Sequence, residues 1–225
     1  MHTKGPPRYA VPNDASSSRR SEVNVLAISD AIAALNKQFL DSLVQRARDV
    51  NANFPLDGSL RATIANLSCD ERHQAAQCGV FLVDVGFADL AGWQNVAPQL
   101  DKGQMSEDVR SGLVSEESIV LAYAALMVAW YVVHANPAVA SALCGMSEPV
   151  VAIYRAMGIG ELALIARHRT HWVQPRWHDR LDIWSSIVGC ATNARTQELM
   201  PVILRCLKAS AARSPRLLAA IDDSL

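Results

Sequence analysis

The chain lacks the features that define several large classes of protein. Of its 225 residues, only 19% are charged and 6% are aromatic. Its five cysteines form no C-x-x-C pair, which argues against a disulfide framework and against a cysteine-rich zinc site. The longest apolar run, residues 119–133, is shorter than the about 20 residues that a membrane-spanning helix needs. We therefore expect reduced thiols, mostly in the core, and no membrane segment.

The N-terminus is also without the apolar stretch of a secretory signal, since residues 1–20 contain Pro, Ser, Asn and charged side chains. A cytoplasmic location is the expectation that follows. Half of the residues are hydrophobic, which is typical of a well-packed globular protein rather than a disordered one.

Catalytic signatures are missing as well. The sequence has no G-x-S-x-G nucleophile motif, no Walker lysine loop and no dinucleotide-binding glycine pattern after a strand. Cys69, His73 and Cys78 are spaced too loosely for a usual zinc site, and His168 and His171 lack an H-E-x-x-H context. We predict no catalytic residues, no metal, no cofactor and no small-molecule substrate. A helical enzyme whose site is assembled from distant residues is the alternative that this reasoning leaves open.

Charge is distributed unevenly along the chain. Residues 1–20 sum to +3, residues 21–150 to -8, residues 151–216 to +6 and the tail to -2. The arginine-rich last part could attract an anionic partner, or it could attract the acidic first part of the same chain.

Hydrophobic periodicity predicts a mainly all-α fold. Residues 28–47 repeat apolar side chains at three- and four-residue steps, which indicates one apolar helix face: Ile28, Ile32, Leu35, Phe39, Leu43 and Ala47. Residues 116–136 predict a second long helix that is buried, and shorter helices follow each long one. The β-branched segment 80–87 allows one short strand, so a single β-hairpin is the most β-structure that we expect.

The second half of the chain repeats the order of the first. A shift of about 90 residues lays LRATIANL (60–67) over VVAIYRAM (150–157), Glu71 over Glu161, and Phe87 over Trp177. We predict a tandem duplicated helical unit, with a coincidence of generic helical patterns as the alternative. The predicted organisation is a flexible arm (1–22), a first helical unit (23–97), an acidic linker or loop (98–117), a second helical unit (118–184) and a C-terminal helical extension (185–225).

One segment combines charge with aromatic rings. Residues 167–180 contain four arginines, three histidines and two tryptophans. Arginine beside aromatic side chains is typical of phosphate contact, base stacking and protein-interface hot spots. The candidate DNA- or partner-binding residues are Arg167, Arg169, His171, Trp172, Arg176, Trp177 and Arg180. The alternative is that the tryptophans are core anchors while the arginines pair with the acidic half of the chain.

Residues 140–157 have the cadence of a helix-turn-helix, with a turn-forming Gly145 between two short helical segments. Arg155 is the one obvious base-reading side chain of the second segment. Direct reading of a major groove by this segment is therefore not expected.

Both units resemble one known family. The runs ALNKQFLDSLVQRARDV (34–50) and LRATIANLSCDERHQAAQCGVFLVDVGF (60–87) are similar to the FlhD-type flagellar transcriptional regulators. The positions that carry the likeness are Leu35, Asn36, Phe39, Leu40, Ile64, Leu67, Phe81 and Phe87. Residues 121–166, from LAYAALM through GMSEP to ELALIA, look like a second copy of the same pattern.

The resemblance implies a bacterial helical regulator that dimerises through its helices and controls transcription with a DNA-binding partner subunit. This chain departs from the family because it has two units and a C-terminal addition, so its oligomeric state stays open. We expect a protein partner or self-association, with DNA contact through residues 167–180. The alternative function is a non-enzymatic adaptor or assembly protein of a secretion or motility apparatus.

Overall fold

The computed structural model describes residues 15–101, 116–193 and 199–211. Parts of the predicted arm, linker and C-terminal extension lie outside these ranges. The first described region contains α1 (Ala15–Arg48), α2 (Gly58–Ala65), α3 (Cys69–Ala76), β1 (Val83–Val85) and α4 (Leu90–Asp101). The remainder contains α5 (Glu116–Ala135), α6 (Pro137–Cys144), α7 (Glu148–Ala156), α8 (Ile159–His168), a short 3-10 helix (Thr170–Trp172), β2 (Val173–Pro175), α9 (Leu181–Thr192) and α10 (Leu199–Ala211).

The mainly all-α prediction is confirmed, since 74% of the structure is helical and its strands form one two-stranded antiparallel pair within the described residues. The two strands come from different units rather than from neighbouring segments. Asp84 of β1 lies opposite Gln174 of β2, and these residues are 90 positions apart. When two duplicated strands pair about a two-fold axis, the central residue faces its own counterpart. This register is therefore what a duplicated unit of about 90 residues produces.

Helix boundaries follow the same shift. The first residues of α7 and α8 lie 90 positions after those of α2 and α3, while α9 begins 91 positions after α4. The extra residue is inserted just after β2. There Trp177 has a positive φ of 54°, as Gly86 has a φ of 74° after β1. The one-residue offset lets both units make the same left-handed turn out of the strand.

The two units interlock. Helix α4 of the first unit packs on α7 of the second, and α9 of the second unit packs on α2 and α3 of the first. The long helices α1 and α5 also pack on each other, and one continuous cluster of buried apolar side chains runs through both units. Because each unit's last helix covers the other unit, the two units share one core.

Three of the predicted unit boundaries are wrong. Helix α1 begins at Ala15, so residues 15–22 of the predicted arm are helical. Residues 98–101 and 116–117 of the predicted linker belong to α4 and α5. The boundary predicted between residues 184 and 185 falls inside α9, which is the counterpart of α4 and completes the second unit. Composition suggested these boundaries, but helix ends depend on packing and capping that composition does not report.

Helix α5 is the one described helix that is long and apolar enough to cross a membrane, and 39% of its most apolar window is buried inside the fold. Its inner face meets α1, α6, α7, α8 and β1. The prediction of a buried helix is thus confirmed for one face, whereas Val120 and Tyr131 on the opposite face are 50% and 41% exposed.

A glutamate in the first turn that accepts a hydrogen bond from the N-cap backbone is common to α3 and α8, and α3 completes it to a capping box. The Glu71 carboxylate accepts a hydrogen bond from the Ser68 backbone N–H at 2.7 Å, and Ser68 Oγ accepts one from the Glu71 N–H at 3.2 Å. In the second unit, the Glu161 carboxylate accepts from the Gly158 N–H at 2.5 Å. Hydrogen bonds from Ser68 also hold the pKa of Glu71 below its usual range. Ser68 is thus the N-cap of α3, and Asp57 is the N-cap of α2.

We expect Ser68→Ala to lower the free energy of unfolding by about 1 kcal/mol, because the Glu71 N–H loses its acceptor. Urea denaturation measures the change. Ser185→Ala is the matched control, since Ser185 is an exposed serine within α9. Equal midpoints for the two variants would show that Ser68 does not cap α3.

Candidate partner-binding surface

The basic segment 167–180 is divided by strand β2 into two groups. Because β2 runs antiparallel to β1, residues before Val173 lie beyond the Val85 end of β1, and residues after Pro175 lie beyond its Val83 end. The four arginines therefore do not form one continuous surface, although they are close in sequence.

The group after the strand contains two side chains that point inward. Arg176 is 5% exposed and Trp177 is 3% exposed. The Arg176 backbone N–H donates to the Leu82 carbonyl at 2.8 Å, its Nη1 donates to the Leu143 carbonyl, and its guanidinium lies 4.5 Å from the centre of the Trp177 ring. The prediction that Arg176 and Trp177 bind DNA or a partner is therefore wrong. The turn after β2 directs both side chains into the contact between the units.

Arg180 is exposed but already has an anionic partner. Its Nε and Nη2 each lie 2.9 Å from a carboxylate oxygen of Asp182, in the first turn of α9. This hydrogen-bonded pair raises the pKa of Arg180 and lowers that of Asp182. A phosphate would have to compete with a bidentate carboxylate, so Arg180 is a weak candidate for DNA contact.

The group before the strand presents cationic side chains to solvent. Arg167, in the last turn of α8, and His171, in the 3-10 helix, are exposed, while Arg169 and Trp172 are half-buried. The Arg169 guanidinium lies 5.3 Å from the centre of the Trp172 ring, and the His171 and Trp172 rings are 6.2 Å apart. We call the surface formed by Arg167, Arg169 and His171 the cationic surface, after its two guanidinium groups. The charge of Arg167 also stabilises α8, because basic residues at a helix C-terminus interact favourably with the helix dipole.

Trp172 joins the cationic surface to the core through a chain of aromatic contacts. Its ring lies 4.9 Å from that of Trp93, which lies 4.8 Å from that of Tyr154. The Trp93 indole N–H donates to the Gly86 carbonyl at 2.7 Å. These contacts join α4, α7 and the 3-10 helix, so the Trp172 ring under Arg169 is tightly packed.

Two glycines make room for Trp172. A Cβ atom at Gly86 or at Gly92 would come within 3.1 Å of the Trp172 ring, and Gly86 also has a positive φ of 74°. Sequence reasoning missed Trp93, Gly86 and Gly92 as parts of this site. Only the three-dimensional contact links them to a residue about 80 positions later in the chain, and no local pattern reports it.

The cationic surface belongs to one unit only. The positions that correspond to Arg167, Arg169 and His171 in the first unit, 90 residues earlier, are Gln77, Gly79 and Phe81. Phe81 is buried, and none of the three is charged. The duplicated scaffold therefore carries this charge on one side of its pseudo-two-fold axis.

The corner between α6 and α7 has a helix-turn-helix angle, since the two helices meet at 118° and Gly145 has a left-handed φ of 75°. Val150, Val151 and Tyr154 of α7 are buried against the rest of the fold. Its exposed positions include the acidic Glu148, and Arg155 is its exposed basic residue. The exposed side of α7 therefore carries one basic and one acidic side chain.

Groups that could carry catalysis are not gathered in the described residues. There, no three His, Cys, Asp or Glu side chains are placed to hold a metal ion. Burial raises the pKa of Cys78 and Cys144 to about 12, so these thiols are protonated and weakly nucleophilic. An open groove of about 400 Å³ between α9 and α10 is lined by residues such as Ser186, Cys190 and Arg205. The described residues that line it include no carboxylate or histidine for acid–base chemistry.

Comparisons of the chain with models of protein families, with curated proteins and with solved structures found no match.

Proposed function

We propose that the chain is a bacterial regulatory protein, non-enzymatic and similar in kind to the FlhD-type transcriptional regulators, that acts by protein contact and touches nucleic acid through the cationic surface. The observation that carries the DNA part is the placement of Arg169 over the packed Trp172 ring, together with the exposure of Arg167 and His171, in one unit only. The proposed setting is the cytoplasm, where cysteines persist as reduced thiols.

The positions that carry the family resemblance support the regulatory part. All eight are buried in the first unit, from Leu35 to Phe87. They are therefore the residues that determine how the helices pack, and a shared packing pattern supports a shared scaffold. In the second unit, Leu121, Leu126 and Val133 occupy the corresponding buried face of α5. A scaffold alone does not specify a function, so the regulatory role rests on the resemblance itself.

The chemistry of the cationic surface suits a phosphate backbone. Guanidinium groups bind phosphate oxygens in a forked geometry, and the Trp172 ring under Arg169 positions one of these groups. With few cations, and with no base-reading helix in the described parts of the chain, the contact would be independent of sequence and weak at physiological salt. The protein would then position a partner that reads the sequence, as the resemblance implies.

We expect the double variant Arg167→Glu and Arg169→Glu to weaken binding to random duplex DNA and to flatten its dependence on salt, with the log–log salt slope falling by about 1 for each phosphate contact that is lost. Fluorescence anisotropy at low and physiological salt measures both quantities.

Arg180→Glu is the matched control, since Arg180 is exposed in the same segment but paired with Asp182. A second control, Arg48→Glu, places the same charge change at an exposed position on α1 of the first unit. Equal losses for all these variants would mean a general charge effect, and no binding of the wild-type protein at any salt would remove DNA from the proposal.

The burial of Arg176 and Trp177 favours a second candidate, the adaptor of a secretion or motility apparatus that works through protein contacts alone. Two of the seven candidate residues are unavailable to a phosphate, so the DNA-binding surface is smaller than the sequence indicated. Recovery of apparatus components, rather than a DNA-binding subunit or polymerase, in a pull-down from the native host would favour this candidate.

A further inference from the structure

A groove opens between the last helix of the second unit and the helix that follows it. Helices α9 and α10 pack on each other, and the groove between them has a volume of about 400 Å³. This volume lies within the range of small-molecule sites. Both helices contribute to the lining, which includes Ser186, Gly189 and Cys190 of α9 and Pro201, Val202 and Arg205 of α10. We call this space the α9–α10 groove.

Arg205 is the charged residue among the described residues that line the groove. Its side chain is exposed on α10, and its Nη2 donates to Ser186 Oγ on α9 at 3.2 Å. The Ser186 hydroxyl donates in turn to the Asp182 carbonyl at 2.7 Å, so its oxygen is oriented to accept from Arg205. No carboxylate in the described parts of the chain forms a salt bridge with Arg205. A guanidinium has five N–H donors in a fork, so Arg205 is held across the groove with donors left for an anion.

Gly189 lines the groove at a position where packing does not require a glycine. It lies inside α9, where glycine is less favourable than alanine, and its backbone is helical rather than left-handed. A Cβ atom there would meet no atom within 4 Å. The corresponding residue of α4, 91 positions earlier, is Pro98, so the duplicated scaffold does not require glycine either. A glycine of this kind suits a place where a ligand approaches the backbone closely.

The rest of the lining determines what kind of molecule fits beside Arg205. Cys190 and Val202 are buried and Pro201 is exposed, so the walls next to the guanidinium are mainly apolar. The described lining residues include no aromatic ring on which a nucleobase could stack. One cation beside apolar walls therefore favours a small molecule with an anionic group and a short apolar part.

We propose that the α9–α10 groove binds a small organic anion, whose carboxylate or phosphate group is held by Arg205 and whose apolar part lies over Gly189 against Pro201 and Val202. The described lining has no acid–base group, so the bound molecule is a ligand rather than a substrate. With one cation in an open groove, a short fragment should bind with a dissociation constant on the order of 1 mM. The inference is separate from the cationic surface and does not depend on DNA binding.

Nuclear magnetic resonance of the ¹⁵N-labelled full chain tests the site with three probes: hexanoate, hexyl phosphate and 1-hexanol. The Gly189 amide signal is identified by its loss in Gly189→Leu. We expect it to shift saturably with hexanoate or hexyl phosphate, and the tighter of the two identifies the anionic group. Neutral 1-hexanol should bind at least about tenfold more weakly, since it lacks the charge that Arg205 recognises. No shift with either anion, or equal binding of 1-hexanol, would overturn the proposal.

Charge removal tests the role of Arg205. We expect Arg205→Gln to raise the dissociation constant of the tighter anion about tenfold or more, because the charge-assisted hydrogen bonds are lost. Lys208→Gln is the matched control, since Lys208 is an exposed cation of the same helix that does not line the groove. Equal losses in the two variants would indicate a general charge effect and contradict the site.

Filling the groove tests the role of Gly189. Gly189→Leu should abolish binding in ligand-observed saturation-transfer spectra, while its urea midpoint stays equal to or above that of wild type because leucine favours a helix. Gly160→Leu is the matched control, since Gly160 is an exposed glycine of α8 whose Cβ would also meet no atom within 4 Å. It should keep wild-type binding. Undiminished binding in Gly189→Leu would show that the anion does not lie in the groove, and the comparison of Arg205→Gln with Lys208→Gln does not depend on how Gly189→Leu folds.

Discussion

Replacing Asn36 with alanine should lower the free energy of unfolding by about 3 to 5 kcal/mol, because it removes several hydrogen bonds and leaves a cavity in the core. The Asn36 side chain is fully buried within α1. Its Nδ2 donates to the Val80 carbonyl at 2.7 Å and the Ala76 carbonyl at 3.2 Å, and its Oδ1 accepts from the Leu82 N–H at 2.9 Å. The residue thus holds the segment between α3 and β1 against the long helix.

Urea denaturation measures the loss, and Gln45→Ala is the control because Gln45 is an exposed polar residue of the same helix. In the second unit, Ala122 occupies the corresponding position on α5, 86 residues later, so that unit folds without a buried asparagine at this position. Equal losses of unfolding free energy in Asn36→Ala and Gln45→Ala would contradict this prediction. They would mean that the backbone groups of residues 76–82 form other hydrogen bonds when Asn36 is absent.

The substitution Asn36→Asp should make the stability of the folded protein depend on pH. Burial would raise the pKa of the new carboxyl in the folded protein above its unfolded value. The folded variant then binds more protons than the unfolded chain, so its stability relative to wild type is greatest at pH values below the unfolded pKa. That stability is lost as pH rises through the folded pKa. We expect the variant's loss of unfolding free energy relative to wild type, measured at each pH, to become smaller as the pH falls.

The second large effect is expected at Trp184, where alanine should cost about 3 to 5 kcal/mol. Trp184 is fully buried, its indole N–H donates to the Arg176 carbonyl at 2.7 Å, and its ring lies 6.4 Å from that of Phe39 in the first unit. The side chain therefore stabilises the contact between units as well as the start of α9. Trp184→Phe should lose less, because it keeps a ring and forfeits mainly the hydrogen bond.

Since both units share one core, Trp184→Ala should lower the stability of the whole described fold. Circular dichroism and tryptophan fluorescence should report one coincident unfolding transition in the wild type and in the variant. Two separated transitions, with the first unit persisting after the second has unfolded, would mean that the units are independent domains.

Local pattern determined much of the helical architecture. The apolar steps from Ile28 to Ala47 predicted the buried face of α1, and all six of these side chains are buried. The repeat of order at about 90 residues predicted the duplication with which the strand register agrees. Such features are readable because the period of a helix and the residues of a cap act within a few positions of each other.

The candidate site was less predictable. The abundance of arginine and tryptophan in residues 167–180 was visible, but the direction of each side chain was not. Arg169 and Arg176 have the same sequence signature beside a tryptophan, yet one forms part of the cationic surface and the other is buried. The difference arises from β2, a three-residue strand whose partner lies in the other unit.

The sequence by itself therefore determined the helical class, the repeat of about 90 residues and the buried face of α1, because these follow from local periodicity. Only the tertiary structure decided which copy of each repeated position meets solvent. Asp41 and Met127 occupy corresponding positions on the two long helices, and only the folded arrangement places one in a charged network and the other, half-buried, against the hydrophobic core. Exposure depends on what packs against a residue from distant parts of the chain, and no pattern within one segment records that.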